Sequence, residues 1–261
     1  MNFRELFARL LSSFVQRRRC GAVHPRGKDS QMYCRPHWIS IFARIIIFIL
    51  FESLLYCFFD KPTALFFSIR EITHPSFFSF FQNITILGLS KWYLIPCGLV
   101  TIFCAFLARG KDVLPSYRRL FAYVGIRTFL LFITLSLSGI IADIIKPIVG
   151  RARPHLWLQD AIYGFTPFTA NARWNSFPSG HATTAFALAF SLSFLYPRLR
   201  PLWLAYAFLI AASRVVIDAH YLSDVCAGAF LAWLTVHLFL KYGMIHCWKV
   251  IFPIDTATSK K

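Results

Sequence analysis

Three short segments hold residue types that together could handle a phosphate group: Lys146-x6-Arg153-Pro154, Pro178-Ser179-Gly180-His181, and Ser213-Arg214-x5-His220-x3-Asp224. They supply three fixed cations, two histidines, one carboxylate and a Ser-Gly turn. A phosphate dianion is best held by a point charge and a planar fork of donors, which lysine and arginine provide in different ways. The turn at Pro178–Gly180 precedes an apolar run of helical character. The amides of Ser179, Gly180 and His181 would then sit at a helix N-terminus, where free N–H groups and the dipole favour an anion. If residues 220–224 are helical, His220 and Asp224 share one face at i, i+4 spacing. Asp224 would accept the proton on one imidazole nitrogen and leave the other free to attack. The inventory suits phosphoryl transfer through a covalent histidine intermediate, with no metal and no cofactor. Geometry alone does not say which histidine attacks, although the carboxylate partner favours His220.

Each segment has a plainer reading when taken alone. Basic residues flank most membrane spans and snorkel, and a lone histidine at a span end is an ordinary interfacial residue. Asp218 fits a helix cap, Pro147 is expected to break the helix that Lys146 ends, and Asp143, one turn before Lys146, fits its neutralising partner. Arg151 and Arg173 add positive charge suited to a highly charged headgroup. The set of three, in order and each at a span end, is hard to explain blandly.

The elements that must position these residues are apolar and long. The chain has 261 residues, 57% of them hydrophobic and 15% charged, with 29 phenylalanines. A soluble domain carries more charge, and several runs are long enough to cross a bilayer core. The expected fold is all-α: an integral membrane bundle of six transmembrane helices near 38–59, 93–108, 120–146, 181–196, 201–217 and 221–240. An interfacial segment, 61–92, lies between the first two. It is too polar for a clean span, with Lys61, Arg70, Glu71, His74 and Lys91, yet rich in phenylalanine. Three regions follow: a basic cytoplasmic N-terminal segment 1–37 with an amphipathic helix over 1–19, a membrane domain 38–240, and a cytoplasmic tail 241–261. The seven cysteines are odd in number and show no metal-ligand spacing, which leaves free thiols as the reading.

The formal net charge of +17 could mean nucleic acid or a membrane surface. The basic residues decide for the membrane: no nucleic acid and no obligate protein partner is implied. With the N-terminus inside, eighteen Lys and Arg fall on the cytoplasmic side and eight on the other, and three of those eight belong to the proposed site. By the positive-inside rule the site faces away from the cytoplasm. A lipid phosphate presented at that face is the expected substrate.

The three blocks, quoted above without a missing residue, resemble the type-2 phosphatidic acid phosphatase superfamily. The resemblance covers roughly residues 140–230, and six spans fit that family's bundle. Its bacterial members include lipid A 1-phosphatases, undecaprenyl diphosphate phosphatases and phosphatidylglycerophosphate phosphatases, so it implies an inner-membrane enzyme with a periplasm-facing site. It implies that His220 is the nucleophile, that Asp224 orients it, and that His181 protonates the leaving group and then activates water. Lys146, Arg153 and Arg214, with Ser179 and the amide of Gly180, would balance the phosphoryl oxygens. A transporter or anion-binding protein is the main rival, but it would need charges deep within the spans, and here they sit at span ends. A vanadium haloperoxidase, the other rival, is a soluble protein.

Overall fold

The computed structural model describes residues 37–110 and 113–243, and the named elements there are all helices. The expected amphipathic segment 1–19, the linker up to residue 36 and the tail beyond residue 243 lie outside the described residues. The chain divides into two units, residues 1–47 and 48–261. In the first, the described residues form the opening turns of helix α1 (His37–Leu54). The second holds everything that positions the site.

Helix α1 does not stop where its polarity rises. It passes through a π-helical turn at Leu55–Phe59 straight into α2 (Asp60–Thr73). Pro62 has no N–H for the carbonyl four residues back, and its ring crowds that carbonyl. The widened turn just before it accommodates the misfit. It also turns Asp60 inward: Asp60 is 1% exposed, while Phe58 and Phe59 beside it are exposed. His74 leaves helical geometry, and Pro75 opens α3 (Pro75–Thr85) at the position where proline is best tolerated. A 3-10 turn at Ile86–Gly88 and an extended Leu89 lead to α4 (Lys91–Arg109). The segment expected at the interface is therefore a helical hairpin, α2–α3, continuous with the first span. Backbone hydrogen bonding carried the helix through side chains too polar to extend the span by hydropathy.

Helix α5 (Pro115–Val149) packs most extensively on α4. Pro147 does not break it, contrary to the sequence reading. It sits inside the last turn, and the helix ends at Gly150 in the left-handed conformation (φ 58°, ψ 48°). Its N–H closes the helix onto the Lys146 carbonyl at 2.8 Å, and its carbonyl accepts from the Thr166 amide at 2.6 Å. A Cβ at this position would lie 1.8 Å from the Thr166 carbonyl oxygen, so only glycine makes the turn.

After the short α6 (Pro154–Asp160) and a long loop come α7 (Gly180–Leu195), α8 (Arg200–Val216) and α9 (Leu222–Leu238). Helix α7 is the centre of the bundle and packs on α5, α8 and α9. It is apolar all round, as a helix covered on every side must be. Ala182, Ala185, Ala187 and Ala189 are almost completely covered, and such small side chains let membrane helices approach closely.

Among the described residues, five helical stretches are long and apolar enough to cross a membrane: Ile41–Thr73, Pro75–Arg109, Pro115–Val149, Pro197–Val216 and Leu222–Tyr242. The remaining apolar helix, α7, has 16 residues. At 1.5 Å per residue it is about 24 Å long, short of a bilayer core of about 30 Å.

Candidate active site

Asp224 ties the three sequence segments together. It lies in the first turn of α9, where its Oδ2 accepts the Tyr221 N–H at 2.9 Å and the Ser176 hydroxyl at 2.6 Å. Its backbone carbonyl accepts the Ser179 N–H at 2.9 Å, which docks the start of α7 against α9. The helix begins at Leu222, with Tyr221 as its N-cap, so residues 220–224 are not one helical face. His220 precedes the helix, and its Nδ1 lies 2.8 Å from the Ser176 carbonyl but 3.8 Å from Asp224 Oδ2. A carbonyl can only accept. Nδ1 therefore carries the proton, and Nε2 keeps its lone pair. The expected acceptor, Asp224, acts one step removed: it grips Ser176, and Ser176 holds the ring. Burial pushes the His220 imidazole down to about 4 against the opposing pull of Asp224, so the ring is neutral at pH 7.

The phosphate-binding candidates converge on this ring and on His181. Arg153 and Arg214 both bear electrostatically on His220, and Arg214, Lys146 and Arg153 all bear on His181. Arg153 is clamped by three carbonyls: Nε donates to Ala172 at 3.0 Å, one terminal nitrogen to Ala219 at 3.2 Å and the other to Asn175 at 3.3 Å. A guanidinium has five N–H donors, so two remain for a ligand. Arg214, in the last turn of α8, donates to the Thr85 hydroxyl at 2.7 Å, and its Nε is buried without a partner. The Lys146 ammonium pairs with Asp143 at 2.6 Å, as the sequence reading expected, and lies 3.1 Å from where a Cβ on Gly180 would be. That places it at the N-terminus of α7. The Ser179 hydroxyl is fully buried and has no protein partner, so its donor is available to an oxyanion. All eight residues singled out by sequence thus share one neighbourhood.

Several contributors escaped sequence reading. The α2–α3 hairpin covers the site from residues far upstream. Thr85 fixes Arg214, and a Cβ on Gly88 would lie 2.7 Å from the His181 ring, so the glycine lets the 3-10 turn after α3 approach that histidine. Ser176 stands two residues before the Pro178–His181 segment, and nothing in its type marked its carbonyl as the His220 acceptor. Arg151, read as a headgroup contact, is 2% exposed and donates to Asp224 Oδ1 at 2.6 Å, Ser223 Oγ at 2.6 Å and Asp60 Oδ2 at 2.5 Å. Arg173 is exposed and pairs with Asp160 at 3.1 Å. Asp218 is not a helix cap: it sits in the α8–α9 turn at φ 49°, and burial, then the nearby Glu71 charge, push its carboxyl up to about 7.

Residues 127–245 match the PAP2 superfamily. That stretch contains Lys146, Arg153, Ser179, His181, Arg214, His220 and Asp224, the residues whose convergence has just been described. This part of the chain is similar to PAP2 domains. The chain is 40% identical over 119 residues to proteins named lipid A 1-phosphatase from Rhizobium etli and from Rhizobium johnstonii, covering 44% of this chain in each case. It spans about half the length of these relatives, 51% and 49% respectively. In fold, the chain is similar to a transmembrane PAP2-type phosphatidylglycerolphosphate phosphatase from Bacillus subtilis, with a TM-score of 0.53 and 20% identity. The match covers 80% of this chain and 96% of that one. The matched residues thus sit in a helical bundle of known kind. The α2–α3 hairpin that completes the site lies upstream of the matched residues.

Proposed function

We propose that this protein is a membrane phosphatase that removes a phosphate or diphosphate group from a lipid through a phosphohistidine at His220. The observation that carries the reading is the Nδ1–H bond from His220 to the Ser176 carbonyl, which leaves Nε2 unprotonated within the field of Arg153 and Arg214. In the first step Nε2 bonds to phosphorus, the bond from phosphorus to the leaving oxygen breaks, and His181, charged once the negative oxygens of the bound phosphate offset the cations around it, gives that oxygen a proton. Water, relieved of a proton by His181, then attacks phosphorus; the Nε2–P bond breaks and inorganic phosphate leaves. Two N–H groups of Arg153, the free Nε–H of Arg214, the Lys146 ammonium, the Ser179 hydroxyl and the amide of Gly180 balance the equatorial oxygens.

These fixed cations supply the charge that a metal would otherwise bring, so the reaction runs without one. The names of the Rhizobium relatives favour a phosphate on lipid A as the first substrate to try. Purified protein in detergent should release phosphate from at least one of lipid A 1-phosphate, undecaprenyl diphosphate, phosphatidylglycerophosphate and phosphatidic acid. Release should continue in excess chelator and be inhibited by vanadate, whose trigonal-bipyramidal form resembles the transition state. No release from any of them would sink the reading, and loss in chelator that is restored by magnesium or zinc would replace the metal-free chemistry.

The loop charges, eighteen basic residues against eight, support an active site on the non-cytoplasmic face of the inner membrane. A cysteine at Gln159 should react with an impermeant thiol reagent in intact spheroplasts, and one at Lys111 should not. The opposite labelling would move the site to the cytoplasm.

A further inference from the structure

The buried cluster behind His220 holds two carboxylates and one guanidinium. Asp60 and Asp224 are almost completely covered, and Arg151 bridges them with one terminal nitrogen on each. Ser223 closes the ring: its N–H and hydroxyl donate to Asp60 at 3.0 and 2.6 Å, and its oxygen accepts from Arg151. The guanidinium is walled in by aromatic rings, with Tyr221 at 4.6 Å, Tyr56 at 5.0 Å and Phe165 at 5.9 Å. Burial works against its charge, and Asp224 and Asp60 outweigh burial, so Arg151 stays protonated. Two carboxylates and one guanidinium give the cluster a formal charge of −1. Beyond it, Glu52 lines a cavity of about 320 Å³ together with Arg151 and Ser223.

We propose that Asp60 is a positioning residue for the reaction: by neutralising Arg151 it leaves the charge of Asp224 available to the His220 ring. The inference rests on the phosphohistidine reading above. When Nε2 bonds to phosphorus, the ring keeps its Nδ1 proton and becomes cationic. Asp224, 3.8 Å from Nδ1, stabilises that cation only to the extent that Arg151 does not cancel it. Asp60 touches neither His220 nor, by its place behind Asp224, the substrate. It acts through Arg151 from a helix that lies outside residues 127–245, the stretch similar to PAP2 domains.

Charge bookkeeping gives a test that separates this role from simple scaffolding. Asp60→Asn brings the cluster to zero and should lower kcat by about tenfold to a hundredfold while KM stays within about twofold. Adding Arg151→Gln restores a net charge of −1 on Asp224 alone, and kcat should recover to within about tenfold of wild type. If Asp60 only braces the fold, the double variant loses a second set of buried bonds and should be worse than either single one. That result, or wild-type kcat in Asp60→Asn, overturns the proposal.

Should Asp60→Asn fail to accumulate in the membrane, Ser223→Ala decides. It removes only the bridging hydroxyl and should cost about fivefold in kcat with KM unchanged, whereas wild-type kcat overturns the idea. His220→Ala is run beside them. Covalent label persisting there defeats the phosphohistidine reading itself, while label lost there with wild-type rates in the Asp60 and Ser223 variants defeats only the inference about Asp60.

Discussion

His220→Ala should leave no covalent phosphate on the protein and lower kcat by about ten-thousand-fold or more. His181→Ala should behave differently. It removes the leaving-group acid and the hydrolytic base but keeps the proposed nucleophile and its Ser176 tether. With an aryl phosphate, whose leaving group needs little protonation, this variant should load His220 and then stall. Acid-labile, base-stable radiolabel should build up on the His181 variant and be absent from the His220 variant and the double. Gly88 lies close against the His181 ring, so truncating that ring also opens space, and thermal unfolding should be compared with wild type before the labelling is interpreted. Label that survives in His220→Ala would mean that another residue attacks. Full activity in both single variants would return the site to a mere anion-binding role.

Arg153→Ala should be the next most damaging change, lowering kcat/KM by about a thousandfold, since it removes donors aimed at developing charge and also releases three carbonyls. Arg153→Lys separates the two contributions. A lysine restores the positive charge, but its single ammonium cannot reach the Ala172, Ala219 and Asn175 carbonyls that the guanidinium bridges together. The loop before α7 and the turn before α9 would lose their common clamp. Arg153→Lys should therefore stay within about tenfold of Arg153→Ala. A lysine variant near wild type would show that charge alone matters at this position and that the three carbonyl contacts are incidental. Rates on a soluble aryl phosphate, free of lipid presentation, are the cleanest readout.

The residues proposed for catalysis were legible because they fall in short segments at the ends of apolar runs, where a polar residue has to be accounted for. Lys146, Arg153, Ser179, Gly180, His181, Arg214, His220 and Asp224 needed no knowledge of the fold to be picked out. Their mutual wiring was another matter. Side-chain spacing joined His220 to Asp224 directly, but the helix starts two residues later than that spacing assumes, and a backbone carbonyl took the proton instead. Main-chain acceptors leave no mark in residue type. Asp60 was invisible for a different reason. It stands beside Lys61 at the end of an apolar run, where a charged pair reads as snorkelling, and its partner Arg151 is 91 residues away. The continuity of helix from Leu54 to Thr73 was not legible because hydropathy reports what a segment is bathed in, whereas helix continuity depends on the backbone. Between Leu54 and Thr73 Pro62 disturbs that continuity and the π-turn absorbs it, and the helix breaks only at His74, before Pro75.

The same long-range pairing sets a clock on biogenesis. Asp60 enters the translocation machinery 91 residues ahead of Arg151 and 163 ahead of Ser223. At synthesis rates of about 5–20 residues per second, its carboxylate waits roughly 5–18 s for a counter-charge and about 8–33 s for the last of its donors. Until Arg151 emerges, the end of the first helix carries an acid without its buried counter-charge, so that end has to stay in contact with water or with the insertion machinery. A ribosome stalled between residues 60 and 151 should thus leave a nascent chain whose first helix can be extracted or degraded, and one stalled after residue 224 a chain that is committed to the membrane.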